Sequence, residues 1–405
     1  MDHASPPPAV SLVFRKGFDL KQAVAGSLIA DYHCELVERI KAGGFRHDTA
    51  AITIHLAREF GFCYGVDRAV DYAYQARHRF PERHVYLTGE IIHNPLVNDR
   101  LRTLGIRFLS DPGEGVGRLG ADDVVILPAF GVPIAILLEL QRRGCTLVDT
   151  TCGSVLNVWK TVKRYAQDGF TAIIHGKVHH EETRATASQA LQVPGGRYLV
   201  VLDSEQAAAV CRYICGGGDK AAFLARFRHA ASDDFDPDTD LDRIGLANQT
   251  TMLMTESLGI GEQFKEAMCT RHGEAALAAH FRAFETICSA TQDRQDAVVA
   301  LLDEQPLDMM IVIGGYNSSN TANLARICAT RLPTYHIADA ACLVSADQVR
   351  HRPVGAHSEL PTAGWLPPAR PLRVGVTAGA STPDVIVGAV IEKLEAFAAG
   401  PDSSR

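Results

Sequence analysis

The stretch Thr150–Thr183, TTCGSVLNVWKTVKRYAQDGFTAIIHGKVHHEET, decides the fold. A cysteine opens a helix-patterned segment, an apolar run with the character of a strand follows, and polar residues close the unit. The same order recurs in GFCYGVDRAVDYAYQA (Gly61–Ala76) with HVYLTGEIIHNP (His84–Pro95), and in TICSATQDRQDAVVALL (Thr286–Leu302) with DMMIVIGGYNSSNT (Asp308–Thr321). The spacing repeats as well: Cys63 to His93, Cys152 to Glu182 and Cys288 to Ser318 are each 30 positions (93 − 63, 182 − 152, 318 − 288).

Each unit also owns a later strand ending in small or polar residues: VVILPAFGVP (Val124–Pro133), GLANQTTM (Gly245–Met252) and VGVTAGASTPD (Val374–Asp384). Alternating strands and helices predict an α/β protein with parallel sheets, whose ligand groups gather at the carboxyl ends of strands. The expectation is three pseudo-threefold-related α/β domains around a common centre, where Cys63, Cys152 and Cys288 converge. A helix start offers unpaired N–H groups and a positive dipole end, which favour thiolate over thiol. Soft thiolates suit an iron-sulfur cluster or zinc. Three ligands on a 4Fe-4S cluster leave one open iron site that can act as a Lewis acid. A fourth cysteine would close the cluster, but none of the remaining seven holds the same place in a repeat.

At 405 residues the chain has room for two or three domains. With 46% hydrophobic and 21% charged residues and no membrane-length apolar run, it reads as globular, with no membrane partner. A net charge of −7 argues against nucleic acid as a partner. The start, MDHASPPPAVSLVFRKGFDL, lacks the pattern of a secretory signal, and a cytoplasmic location is expected. Ten cysteines with no C-x-x-C pair give neither a disulfide framework nor a zinc ribbon.

Eight motifs together, GFCYGVDRAV, EIIHNPLVNDRL, DTTC, HHEETRATAS, ANQTTM, ATQDRQDA, GGYNSSNT and GVTAGASTPD, resemble the 4-hydroxy-3-methylbut-2-enyl diphosphate reductases, the last enzymes of the methylerythritol phosphate route to isoprenoids. The resemblance covers residues 51 to 390. VFRKGFD and the segment to AITIHLAREF resemble the N-terminal extension of the plant and cyanobacterial branch. It implies one 4Fe-4S cluster on Cys63, Cys152 and Cys288. It also implies the reaction, in which two electrons and two protons remove the allylic hydroxyl as water, giving isopentenyl and dimethylallyl diphosphates.

Roles follow by resemblance where residues match. His93, His180, Ser318, Asn320 and Ser381 resemble the family's diphosphate-binding set, with Ser319 beside them. Glu182 resembles its proton-delivering acid, and Thr250 the neighbour that holds the substrate hydroxyl. A carboxyl near an electron-rich cluster tends to keep its proton, as an acid for water departure must. The order H-x-E favours His180 over His179, and His175 is read as structural.

Two departures stand out. Phe130 replaces a histidine that many members carry, so altered anion contacts are expected. Gly153 follows the cluster cysteine where proline is usual, at an expected modest cost in stability. CGGGDK (215–220) lacks P-loop spacing, and DPDTDLDRIGLA lacks the Gly and Glu of a calcium loop. Cys211 and Cys215 are read as packing. Arg77, Arg79 and Arg83 form a basic segment that could dock a ferredoxin or flavodoxin-type electron donor.

The expected divisions are an N-terminal extension (1–50), domains at 51–150, 151–285 and 286–390, and a flexible tail (391–405). The extension, with AGSLIADYHCELVERI, is expected to form a helix packed on the core or on a second copy in a homodimer. Two alternatives stand beside the reductase: a cluster-dependent dehydratase of quinolinate-synthase type, and a non-catalytic iron-sulfur or zinc protein.

Overall fold

Met309–Ile313, MMIVI, is apolar at every position because both faces of its sheet are covered. Met309, Ile311 and Ile313 enter one hydrophobic cluster with Ile52, Ile54, Val374 and Val376, while Met310 and Val312 enter another with Val298, Leu301 and Leu324. In Thr171–His175, Ile173 faces one cluster, and Ala172 and Ile174 face the other. The computed structural model describes residues 12–284, 286–368 and 371–399.

Beside a two-stranded antiparallel ribbon of Gln348–His351 and Leu360–Ala363, three larger sheets each repeat one strand order. The first runs Thr146–Asp149, Val124–Leu127, Val85–Leu87, Ile106–Phe108, with Val13–Phe14 added beside Thr146–Asp149, all parallel. The second runs Phe281–Ala283, Ile244–Asn248, Thr171–His175, Tyr198–Val201, also parallel. The third runs Ile52–Leu56, Leu372–Ala378, Met309–Ile313, Thr334–Ile337, with Arg46–Asp48 antiparallel at its edge. In each, the strand leading into a cysteine lies beside the late strand, which lies beside the strand that follows a cysteine helix.

The third sheet departs from the contiguous domains expected from sequence. Its cysteine-leading strand, Ile52–Leu56, comes from the start of the chain and pairs with Leu372–Ala378. The chain accordingly divides into two compact units. One is built from Phe80–Ile91 and Ile106–Cys288 with the strand Val13–Phe14, and contains the first two sheets; the other is built from Phe18–Arg79, Ile92–Gly105 and the chain from Ser289 onward, and contains the third. A parallel strand finds its partner only through a long crossover, so no local pattern in 51–150 marks this exchange.

The extension is ordered as two helices rather than one, Lys21–Tyr32 and Glu35–Ala42, broken where His33 and Cys34 are extended. Val37 and Ile40 of the second join the core of the third sheet. Residues 391–399, expected as flexible tail, complete the helix Asp384–Ala399, in which Val387, Val390, Ile391, Leu394 and Ala398 are buried at helical spacing. Residues 1–11 of the extension and 400–405 of the tail lie outside the described residues. Among the described residues no helix is long and apolar enough to cross a membrane.

The extension meets the last helix closely. A side-chain carbon at Gly388 would run into the Cys34 sulfur and lie 3.7 Å from Val37 Cγ2. Gly388→Ala is expected to lower the unfolding free energy by about 1–3 kcal/mol through overpacking, read from urea denaturation. An unchanged midpoint would show that the extension yields there.

Candidate functional site

One backbone device delivers all three cysteines. The amide of Cys152 donates to the carbonyl of Ala129 at 3.0 Å, that of Cys288 to Thr250 at 3.1 Å, and that of Cys63 to Ala380 at 3.2 Å. In every case the acceptor lies two residues beyond the end of the late strand, at Leu127, Asn248 and Ala378. Two residues before the cysteine, a second tie reaches the last strand residue itself. Thr150 N–H donates to the Leu127 carbonyl at 3.2 Å and Gly61 N–H to that of Ala378 at 3.3 Å. Thr286 makes this tie with its hydroxyl, accepting from Asn248 N–H at 2.5 Å and donating to the Asn248 carbonyl at 2.9 Å.

A helix begins directly after each cysteine: Tyr64–Arg79, Gly153–Gln167 and Ser289–Glu304. Cys63 and Cys152 accept the first helical bonds at their carbonyls, from Asp67 and Leu156 at 2.9 and 3.0 Å. The three thiols are partly buried, and none of the ten cysteines forms a disulfide.

In the unit that holds Cys152 and Cys288, Thr250 is a joint. Its carbonyl holds the Cys288 amide, its N–H donates to Glu182 Oε1 at 2.6 Å, and its hydroxyl donates to Glu182 Oε2 at 3.0 Å. Glu182 is 1% exposed, on the first turn of the helix Glu181–Ala190. His180 caps that helix, its Nδ1 accepting from Glu182 N–H at 3.2 Å, so the neutral ring carries its proton on Nε2. His180 is buried and His179 exposed. His175, fully buried, bonds Ser257 Oγ through Nδ1 at 2.9 Å. Gln249 fixes the loop before the acid, its Oε1 accepting from Lys177 N–H at 3.1 Å and from Thr183 Oγ1 at 3.0 Å.

The unit that holds Cys63 builds a matching joint at Ala380. Its carbonyl holds the Cys63 amide, and its N–H donates to Asn320 Oδ1 at 3.0 Å. Ser318 caps the helix Ser319–Ala329 by accepting from Thr321 N–H at 3.3 Å. Ser381 Oγ donates to the His93 carbonyl at 3.2 Å, and Gly315 has no room for a side chain because that carbonyl occupies it. His93, Ser318, Ser319, Asn320 and Ser381 are thus gathered and buried at one helix N-terminus, a setting suited to an anion.

The LytB protein family model matches residues 54–395. The chain belongs to the LytB family. It is 50% identical over 388 residues to the 4-hydroxy-3-methylbut-2-enyl diphosphate reductase of Gloeobacter violaceus, spanning 94% of this chain and 91% of that one. The protein of the same name from Thermosynechococcus vestitus is 46% identical over 386 residues, spanning 95% and 94%. A solved structure of the E-1-hydroxy-2-methyl-but-2-enyl-4-diphosphate reductase from Plasmodium falciparum, 20% identical, gives a TM-score of 0.61 over 87% of this chain and 90% of that one, a likeness of fold.

The LytB donor set fits an iron-sulfur group. Cys63, Cys152 and Cys288 are unoxidised, partly exposed and placed at helix starts, whereas burial pushes the Cys328 and Cys211 thiols up to about 12 and raises that of Cys145. Those three are held as thiols and serve packing. Phe130 sets its ring edge-to-face against His180, with centroids 5.7 Å apart. Gly131 next to it has φ of 75°, and a side chain there would collide with Trp159.

Sequence reasoning missed the roles of Gln249, which lies in a motif quoted for the LytB resemblance, and of Thr286, which lies in the repeat segment Thr286–Leu302. Arg83, read as part of a donor-docking segment, is committed elsewhere, donating to the carbonyls of Asp122 at 2.7 Å and Ala121 at 3.1 Å.

Thr286→Val removes both bonds to Asn248 and is expected to cost about 1–3 kcal/mol with loss of bound iron, while Thr286→Ser retains most of both; thermal unfolding and iron analysis distinguish them. Gly153→Pro should stabilise the chain by about 0.5–1 kcal/mol. Cys152 ahead of it is extended (ψ 143°) and nothing lies within 4 Å of a side-chain carbon at 153. A lower melting temperature would refute this.

Proposed function

We propose that this chain catalyses the reaction for which its curated relatives are named: reduction of (E)-4-hydroxy-3-methylbut-2-enyl diphosphate to isopentenyl and dimethylallyl diphosphates. Two electrons and two protons enter, the allylic C–O bond breaks, and the hydroxyl leaves as water. Cys63, Cys152 and Cys288 would hold a 4Fe-4S cluster. When bound, that group supplies electrons singly and an iron free of protein ligands that acts as a Lewis acid.

The observation that carries the reading is the Glu182–Thr250–Cys288 chain of contacts. Glu182 Oε1 is fixed as an acceptor by the Thr250 N–H, so a proton on this carboxyl sits on Oε2, facing the Thr250 hydroxyl. The acid and its relay are thereby tied to the backbone of a cluster ligand. Delivery of that proton to the departing hydroxyl is the role assigned to Glu182, with Thr250 holding the hydroxyl.

The diphosphate falls to neutral donors. Ser318, Ser319, Asn320, Ser381 and His93 surround the helix N-terminus, and His180 presents Nε2–H. This chemistry needs no P-loop. An external one-electron donor of ferredoxin or flavodoxin type would supply the electrons. The quinolinate-synthase-type and non-catalytic alternatives lose their support with the family assignment.

Anaerobically purified protein should be brown, carry iron, and oxidise a strong one-electron reductant only when the allylic diphosphate is present. Glu182→Gln should keep colour and iron but lower turnover at least about a hundredfold. Full activity of that variant would exclude Glu182 as the acid.

A further inference from the structure

The helix Ser289–Glu304 buries Thr291, Arg294, Gln295, Val298 and Leu301, so a guanidinium lies on its inward stripe. Arg294 is 3% exposed. Its Nη2 donates to the Gly61 carbonyl at 2.8 Å and its Nη1 to the Ala290 carbonyl at 2.7 Å, while Nε is buried without an acceptor. Among the described residues no carboxylate is paired with it.

An arginine cannot shed its charge when buried, and a buried charge needs a counter-charge. Two peptide carbonyls supply only partial negative charge. The place where the guanidinium is anchored indicates what completes the balance. Gly61 lies two residues before Cys63, in a left-handed conformation (φ 76°), with its N–H already committed to Ala378. The cation is thus fastened to the loop that carries one sulfur ligand, from the helix that starts one residue after another, Cys288.

We infer that Arg294 is the buried counter-charge of the anionic group on Cys63, a positioning residue that holds the Cys63 loop through Gly61 and favours the reduced state of the cluster. The inference rests on the cluster reading above. A 4Fe-4S core with three thiolates is anionic when oxidised and more so after accepting an electron, so a fixed cation in a poorly screened interior stabilises the reduced form. No proton moves, because the guanidinium stays charged throughout.

The test is an EPR-monitored redox titration of the anaerobic holoenzyme beside Arg294→Gln and Arg294→Lys. Glutamine retains a hydrogen-bond donor without charge, and lysine retains charge without the fork. At a fixed applied potential the reduced-to-oxidised ratio of Arg294→Gln is expected to fall about tenfold, a one-electron shift of about 59 mV. Arg294→Lys should stay close to the parent. Equal potentials for parent and Arg294→Gln, or an equal fall in both variants, would overturn the counter-charge role. Should Arg294→Gln fail to retain iron, retention of iron and potential by Arg294→Lys supports the role, and loss of iron from both overturns it. A parent protein that is colourless and without iron would instead overturn the cluster reading itself.

Discussion

The structure depends on a hydrogen bond made three times, from a cysteine amide to the carbonyl two residues past the end of a parallel strand. A strand end exposes carbonyls that have no ladder partner, and a helix start exposes amides that have none. Joining one to the other satisfies both sets and fixes the cysteine at the point where the helix dipole is positive. Because the device is made from backbone, it tolerates different side chains around it. Ala129, Thr250 and Ala380 all serve.

What differs between the copies is the partner of the same residue's N–H. The Thr250 N–H meets a carboxylate and the Ala380 N–H meets an amide, Asn320, whereas the Ala129 N–H meets only the carbonyl of Ile91. One scaffold therefore sets a carboxyl in one copy and a side-chain amide in another. A residue bonded this way cannot drift without loosening the cysteine, which makes carboxyl and cysteine geometrically dependent on each other.

Much of this was legible in the sequence because its signals are local. A cysteine before a helix pattern, an apolar run and a polar close are each read within a few residues, and the thirty-residue spacing followed from them. The strand partner of Ile52–Leu56 was not legible, since parallel pairing is set by crossovers rather than by neighbours. The helix continues to Ala399, past the end of the family resemblance, on regular apolar spacing. Arg294 left a signal that went unused: it occupies a position on the apolar stripe of its helix, where a charge calls for an explanation. Thr286 left a weaker one, since nothing in a threonine shows that its hydroxyl will substitute for a backbone amide.

The borrowed strand of the third sheet bears on the order in which the molecule is made. On the ribosome, Ile52–Leu56 emerges early, yet its neighbour Leu372–Ala378 is translated near the end. The first two sheets can close while synthesis continues, but the loop carrying Cys63 has no Ala378 or Ala380 to bind until elongation is almost complete. During that interval an apolar strand and a thiol wait without their partners, the kind of exposure that recruits chaperones. The Cys63 loop is consequently completed late, however early its cysteine is made.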